Sequence, residues 1–146
     1  MFRGQFQHSI DQKSRLVMPV KFRDILGDVF YITRAKEKCL LVYTREEWEQ
    51  IEKTASELPM TDPDVKRYLR MFIGSVAEAE PDGQGRVLIP QNLRDHAGLV
   101  KDVVSVGMAN HVEIWNKAEW DEQLRYEDAE GVSHAEKMVQ YGFKWA

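Results

Sequence analysis

The sequence DQKSRLVMPVKFRD at residues 11–24 aligns without a gap with DGQGRVLIPQNLRD at residues 82–95, 71 positions later. Both copies keep an Asp, an Arg four residues further on, a Pro and a closing Arg-Asp pair, and the residues between the first Arg and the Pro stay apolar. A repeat at this spacing is too long for a solenoid and is typical of a duplicated small module. The fold is therefore expected to contain the same unit twice.

Each copy predicts the same local structure. The turn formers of DQKS and DGQG precede short apolar runs, RLVM and RVLI, which suit a buried strand. Pro19 and Pro90 then stand where the first residue of a helix tolerates a missing N–H, and Gly27 and Gly98 follow as helix ends. Ser14 precedes the Arg of the first copy where the second copy has Gly, and a positive φ there would cost the serine about 1 kcal/mol.

Paired strands and capped helices follow each turn. VFYITR with CLLVY, and VVSVG with VEIW, predict two strand pairs. Thr44 with Glu47, and Asn116 with Glu119, have the spacing of a capping box at a helix start. A second helix from Pro63 completes the linker between the copies. The apolar stripe of the first linking helix is Trp48, Ile51, Ala55 and Leu58, and the second is expected to turn Val65, Tyr68, Leu69 and Phe72 inward.

These elements divide the chain into a first module at residues 1–47, linking helices at 48–75, a second module at 76–120, and a C-terminal helix and tail at 121–146. A module of about 45 residues buries too little surface to be stable alone, and split hairpins leave unpaired sheet edges. We therefore expect a mainly β (α+β) pseudo-dimer in which hairpins of one copy pair with strands of the other. The tail GVSHAEKMVQYGFKWA has no clear period and is expected to be weakly ordered unless a partner covers it.

Composition indicates a soluble globular protein with neither a membrane span nor a signal peptide, which we expect in the cytoplasm. The net charge of −4 argues at face value against a nucleic-acid partner. However, residues 1–23 hold five basic residues and one acid, while from residue 113 onward eight acids accompany four bases. Such asymmetry is typical of a surface that faces a polyanion, and ordinary solvated charge is the alternative.

No pattern typical of an enzyme or a metal site is present in the sequence. Its histidines are His8, His96, His111 and His134. They are dispersed without metal-ligand spacing, Cys39 lies among apolar residues, and no phosphate-binding glycine loop occurs. We therefore expect no catalytic residue, no metal, no cofactor and no small-molecule substrate.

The repeated motif resembles the AbrB/SpoVT swapped-hairpin signature, an Asp-x-x-x-Arg turn followed by apolar residues, Pro and a further Arg. Its tandem arrangement after the start MFRG, with LLVYTREEWE closing the first half, resembles the MraZ family of bacterial transcriptional regulators. The resemblance covers residues 1 to about 128 and implies a double-split β-barrel and a homo-oligomeric ring, an octamer or a dodecamer. It also implies sequence-specific binding to double-stranded DNA on the nucleoid, at repeated promoter sites of division and cell-wall genes and of the chain's own operon.

The candidate DNA-binding residues fall mostly in the first copy. Residues 11–24 hold four bases and two acids, whereas residues 82–95 hold two of each, so we hypothesise that the first copy forms the main DNA face. Asp11 and Asp82 are expected to pin their turns by hydrogen bonding across them. The candidate DNA contacts are Arg3, Lys13, Arg15, Lys21, Arg23 and Arg86.

Two alternatives stay open. The swapped-hairpin fold also serves in antitoxins, so the chain could be a protein-interaction module of antitoxin type whose acidic tail wraps a toxin. Trp48, Trp115 and Trp120 could stack on bases, but their positions at strand ends and helix starts favour the core. Trp145 has no assigned role.

Overall fold

The two copies fold into the same succession of elements, a short strand, a second short strand, a short helix and a strand pair. The computed structural model describes residues 1–143. The first copy comprises β1 (Gln5–Ser9), β2 (Arg15–Val17), α1 (Val20–Leu26), β3 (Phe30–Arg34) and β4 (Cys39–Thr44). The linker comprises α2 (Arg45–Ser56) and α3 (Pro63–Phe72). The second copy comprises β5 (Ala77–Ala79), β6 (Arg86–Leu88), α4 (Gln91–Ala97), β7 (Asp102–Gly107) and β8 (Val112–Asn116), and α5 (Lys117–Gln140) follows it.

Most strand pairs join one copy to the other. A six-stranded antiparallel sheet has the order β1-β7-β8-β4-β3-β5, and β2 and β6 form a separate two-stranded ribbon. The pairs β3–β4 and β7–β8 lie within a copy, whereas β1–β7, β2–β6, β3–β5 and β4–β8 join the copies. The predicted α+β fold with two interleaved modules is confirmed. Within residues 1–143 the outer strands β1 and β5 do not pair, so closure of a barrel is not detected.

Matching positions of the two copies meet in one core. Met18 and Ile89, which follow β2 and β6, are completely buried, and Phe22 of α1 and Leu93 of α4 belong to the same cluster. A side chain of this size contributes about 1.5–3 kcal/mol when it leaves water. Each copy supplies part of this cluster, so the core is shared between the copies.

The short helices α1 and α4 begin one residue later than the sequence predicts. Pro19 and Pro90 are the N-cap residues of the helices, and their ψ of 138° and 152° is extended, as is usual at an N-cap. The predicted placement of the prolines at the first helical position is therefore wrong by one residue. Gly27 and Gly98 end the helices as predicted, with φ of 75° and 63°.

Trp48 attaches the linking helix α2 to the sheet. It is 1% exposed and stacks on Tyr31 of β3 with a centroid distance of 5.9 Å. Trp115 is 2% exposed and lies 6.0 Å from the partly buried Trp120. The prediction that these three tryptophans pack within the protein, rather than stack on bases, is thus confirmed. Trp145 lies outside the described residues.

The linking helix α3 lies more at the surface than the sequence predicts. None of its residues is buried, and Tyr68 is 49% exposed, so the expectation that Tyr68 points inward is wrong. The C-terminal end of α3 is attached to the sheet by a hydrogen bond, which the hydroxyl of Thr33 donates to the carbonyl of Phe72 at 2.6 Å. Because the attachment is at one end, residues of the middle turns remain accessible to water.

The C-terminal helix α5 continues through most of the predicted tail. It begins where Asn116 accepts a hydrogen bond from the N–H of Glu119 at 3.2 Å, and it runs to Gln140. Residues 131–140 of the tail are thus helical, and half of them, at positions 135–138 and 140, have high helix propensity. No residue of α5 is buried. None of the helices within residues 1–143 is both long and apolar enough to cross a membrane.

Candidate nucleic-acid interface

The β2–β6 ribbon presents two arginines and two apolar side chains on its outer face. The register pairs Arg15 with Leu88, Leu16 with Val87, and Val17 with Arg86. Residues alternate between the faces of a strand, so Leu16 and Val87, each 1% exposed, point to the core. The outer face therefore carries Arg15, Val17, Arg86 and Leu88.

Both turns that end in these arginines are held by their aspartates. Asp11 Oδ1 accepts hydrogen bonds from the N–H groups of Lys13 and Arg15 at 2.9 Å, and Asp11 Oδ2 accepts from Arg15 Nε at 3.0 Å. Asp82 Oδ1 likewise accepts from the N–H groups of Gln84 and Arg86 at 2.9 Å, and Asp82 Oδ2 accepts from Arg86 Nε at 2.6 Å. Each aspartate thus fixes the turn and the direction of its arginine together.

These contacts also favour the ionised form of both carboxyl groups. The backbone N–H of Arg15 is the largest cause that lowers the pKa of Asp11 below its ordinary value, and the N–H of Arg86 does the same for Asp82. Hydrogen bonds donated to a carboxylate stabilise its charge. The turns are therefore held by charge-assisted hydrogen bonds at neutral pH.

Backbone hydrogen bonds join each turn to the other copy. The N–H of Met18 donates to the carbonyl of Gly85 at 3.0 Å, and the N–H of Ile89 donates to the carbonyl of Ser14 at 2.9 Å. These two bonds are equivalent under the 71-residue repeat. Because Met18 and Ile89 are completely buried, the core fixes the position of both turns.

The two arginines form one compact group with the aspartates. Arg15 Nη1 lies 4.0 Å from Asp82 Oδ2, so Asp82 faces an arginine from each copy. The hydrogen bonds to aspartate use Nε, and the side chains of Arg15 and Arg86 keep 25% and 33% exposure. A guanidinium oriented through Nε retains donors on Nη1 and Nη2 for a bidentate contact.

The other predicted DNA contacts occupy different positions. Lys13 is exposed beside the first turn, and Arg3 and Lys21 are exposed and line one shallow cleft in front of α1. Arg23 is half-buried and lies against Gly85 of the second turn. Lys13 therefore lies at the first turn with Arg15, Arg3 and Lys21 share the cleft in front of α1, and Arg23 lies at the second turn beside the residue that precedes Arg86.

The exposed apolar residues of the ribbon are a feature that the sequence reasoning missed. Val17 is 46% exposed and Leu88 is 62% exposed. They belong to RLVM and RVLI, the apolar runs that the sequence predicts as buried strands. The period of two in a strand, with core residues on either side, is the signal that would have placed them outside.

The described residues hold no group arranged as a metal site. Within residues 1–143 no three His, Cys, Asp or Glu side chains cluster in a way that could hold an ion. Cys39 is fully buried, and this burial raises the pKa of its thiol, which disfavours the reactive thiolate.

A family model described as "MraZ protein, putative antitoxin-like" matches residues 1–71 and again residues 71–141. The chain belongs to the MraZ family. Each of the two matched ranges contains one copy of the 71-residue repeat. This agrees with the duplicated Asp-x-x-x-Arg turns at the centre of the fold.

Curated relatives cover nearly the whole chain. The protein of Acetivibrio thermocellus is 46% identical over 142 residues, which is 97% of this chain and 99% of the relative. That of Desulforamulus reducens is 44% identical over 139 residues, with 95% and 98% covered, and that of Natranaerobius thermophilus is 42% identical over 141 residues, with 97% and 99% covered. Each of the three is named transcriptional regulator MraZ.

Proposed function

We propose that this MraZ-family chain is a sequence-specific DNA-binding transcriptional regulator that acts through the outer face of the β2–β6 ribbon. The observation that carries the proposal is the placement of Arg15 and Arg86, one from each copy, on the same exposed face of a two-stranded antiparallel ribbon. The major groove of B-DNA admits such a ribbon. The names of the relatives support a regulatory role.

The ribbon combines the contacts that base readout requires. A guanidinium can donate two hydrogen bonds to O6 and N7 of a guanine, and an apolar side chain can contact the methyl group of thymine. Arg15 and Arg86 supply the first kind of contact, and Val17 and Leu88 the second. Because the aspartates orient both arginines before DNA arrives, little side-chain freedom is lost on binding.

Exposed basic residues of the first copy supply the phosphate contacts in this proposal. Lys13 flanks Arg15 at the first turn, while the second copy has Gln84 at the equivalent position. Arg3 and Lys21 extend the positive surface beside α1. Each neutralised phosphate makes binding more sensitive to salt, with a slope of about 0.9 per contact. The first copy therefore contributes more affinity than the second.

Multivalency compensates for the small positive charge of one chain. We infer a homo-oligomeric ring, an octamer or a dodecamer, whose subunits bind repeated sites upstream of the division and cell-wall gene cluster, its own promoter included, on the nucleoid in the cytoplasm. Once one subunit is bound, further contacts are effectively intramolecular and avidity rises by orders of magnitude. The proposed function involves neither catalysis nor a cofactor, metal or small-molecule substrate.

Fluorescence anisotropy with DNA from upstream of the chain's own gene tests the site. Arg15→Ala is expected to weaken binding at least tenfold, because one charge-assisted hydrogen bond contributes about 1.5–3 kcal/mol. Arg86→Ala is expected to weaken binding less, because the second copy carries fewer basic residues. The matched control is Arg67→Ala, since Arg67 is an exposed arginine on α3 that pairs with Asp64 at 3.5 Å. Unchanged affinity in both turn variants would disprove the site, and equal losses would disprove the inequality of the copies.

A comparison of one site with tandem sites tests the role of the ring. We expect tandem sites to be bound far more tightly by the same sample, and native mass spectrometry to show one closed oligomer. Equal affinity for single and tandem sites, or a monomer in solution, would contradict this part of the proposal.

The antitoxin-type interaction module is the second candidate, and the words "antitoxin-like" in the family description favour it. Such a module would hold a protein partner along α5, whose C-terminal half carries the exposed acidic residues Glu127, Asp128, Glu130 and Glu136. A shift of DNA that is abolished by salt and by Arg15→Ala supports the regulator. Absence of any DNA shift at low salt supports the interaction module.

A further inference from the structure

Arg23 reaches from the first copy to the second turn. It belongs to α1, yet its guanidinium lies directly against Gly85, on the side where a Cβ would stand. A Cβ built on Gly85 would come within 2.8 Å of Arg23 Nε and would overlap Nη1 and Cζ. Gly85 is itself buried, so the guanidinium covers the peptide that immediately precedes Arg86.

The equivalent arginine of the second copy does not make this contact. Arg94 folds back on its own copy, where Nε donates to the carbonyl of Ile89 at 2.9 Å and Nη2 donates to Gln91 Oε1 at 2.9 Å. Ser14, the counterpart of Gly85, therefore keeps room for its side chain. The two turns have the same backbone but are supported differently.

The residue three positions earlier is one difference between the surroundings of the two arginines. Gln91 offers Arg94 an acceptor, whereas the first copy has Val20 at the equivalent position, which offers none. Among the described residues Arg23 Nε is buried and has no acceptor. A conformation that leaves a buried N–H unpaired costs free energy, so it persists only where other contacts offset it. The packing against Gly85 is the contact that does so.

We infer that Arg23 is a positioning residue for the second turn, and that it acts on DNA binding through Arg86 rather than by touching DNA. Gly85 donates its N–H to the carbonyl of Asp82 at 2.9 Å, and Arg86 is oriented by the same Asp82. Restricting Gly85 therefore restricts the direction of Arg86. The first copy, which carries more of the basic residues, thus also positions Arg86 of the second copy through Arg23.

The inference deepens the proposed function and rests on it for the effect on DNA, but its structural part can be measured without DNA. Hydrogen–deuterium exchange by mass spectrometry on the full chain compares the peptide at residues 82–88 with the peptide at residues 11–17. Arg23→Ala is expected to speed exchange at 82–88 and leave 11–17 unchanged. Arg94→Ala is the matched control, and it is expected to leave 82–88 unchanged. Faster exchange in both turns would indicate general loosening and overturn the inference, as would no change in either.

A double-mutant cycle separates positioning from direct contact. Arg23→Ala alone is expected to weaken DNA binding by no more than Arg86→Ala does, and to cost little more when Arg86→Ala is already present, because coupled residues are not additive. Additive losses would show that Arg23 touches DNA and would overturn the inference. If Arg86→Ala leaves affinity unchanged, the proposed DNA face is wrong. In that case the exchange experiment alone decides whether Arg23 positions the turn.

Discussion

Ser14 and Gly85, 71 residues apart, share the same left-handed backbone conformation, with φ of 64° and 77°. The sequence left open whether this position needs a positive φ, and the structure shows that it does. A residue with a Cβ is strained there by about 1–2 kcal/mol, although glycine loses more backbone entropy on folding. Ser14→Gly is therefore expected to stabilise the chain by up to about 1 kcal/mol, measured by chemical denaturation at fixed protein concentration.

The reverse change at the second turn should not be the mirror image. Gly85→Ser introduces the same strain and also displaces Arg23, whose guanidinium occupies the space of the new Cβ. We expect a loss of about 1–2 kcal/mol or more by the same measurement, because the strain and the lost contact add. A loss no larger than the gain from Ser14→Gly would show that Arg23 moves away without cost.

Acid should weaken the fold through the turn aspartates. The pKa values of Asp11 and Asp82 are lowered from 3.8, mainly by backbone N–H groups. A carboxyl with a lowered pKa in the folded state contributes stability above its unfolded pKa and loses it as pH falls through the folded value. Denaturation midpoints should therefore decline below about pH 4, and Asp11→Asn/Asp82→Asn should flatten that decline. An unchanged decline in this variant would assign acid sensitivity to other carboxyl groups.

The pairing of strands between the copies was predictable from the repeat, because two copies of a module too small to fold alone have to share strands. The turns were equally accessible, since Asp, Gly and Ser define them by local chemistry. Other features depend on contacts that no local pattern contains. The different contacts of Arg23 and Arg94 become visible only once both helices are placed against the turns. The exposure of Tyr68 likewise depends on how far α3 extends beyond its attachment near Phe72.

His8 should make stability depend on pH near neutrality. Its Nε2 is 2.7 Å from the hydroxyl oxygen of Ser105, and burial lowers the pKa of the imidazole from 6.5. The neutral form is therefore favoured in the folded state, and the contribution is present above pH 6.5 and lost as pH falls towards the lower folded value. We expect denaturation midpoints to drop as pH falls below about 6.5, and His8→Gln to reduce that drop. Since burial also lowers the pKa of His111, adding His111→Gln should reduce it further. Identical pH profiles in all three proteins would rule out these histidines.

Trp48 should be the residue on which attachment of α2 most depends. It is 1% exposed and lies between the rings of Tyr31, Tyr43 and Phe72 at centroid distances of 5.9, 6.0 and 5.6 Å. Removing a buried ring of this size costs about 3–5 kcal/mol, so Trp48→Ala is expected to lower the free energy of unfolding by that amount. Tyr68→Ala, at a half-exposed position on α3, is the control and should cost less than about 1 kcal/mol. Similar losses in both variants would mean that the two helices unfold as one unit.

The cross-copy strand pairs predict how the halves behave when they are separated. A chain of residues 1–75 keeps β3 with β4, but β1 and β2 lose their partners β7 and β6. It also loses Ile89 and Leu93 from the shared core, which exposes Met18 and Phe22. We therefore expect this half to unfold or to pair with a second copy of itself, since identical halves can offer each other equivalent strands. Mixing it with residues 76–146 should restore a cooperative melt by circular dichroism and a new species by size exclusion. A cooperatively folded monomer of residues 1–75 would contradict the mutual dependence of the copies, because such a half would have closed its core without the strands that complete it here.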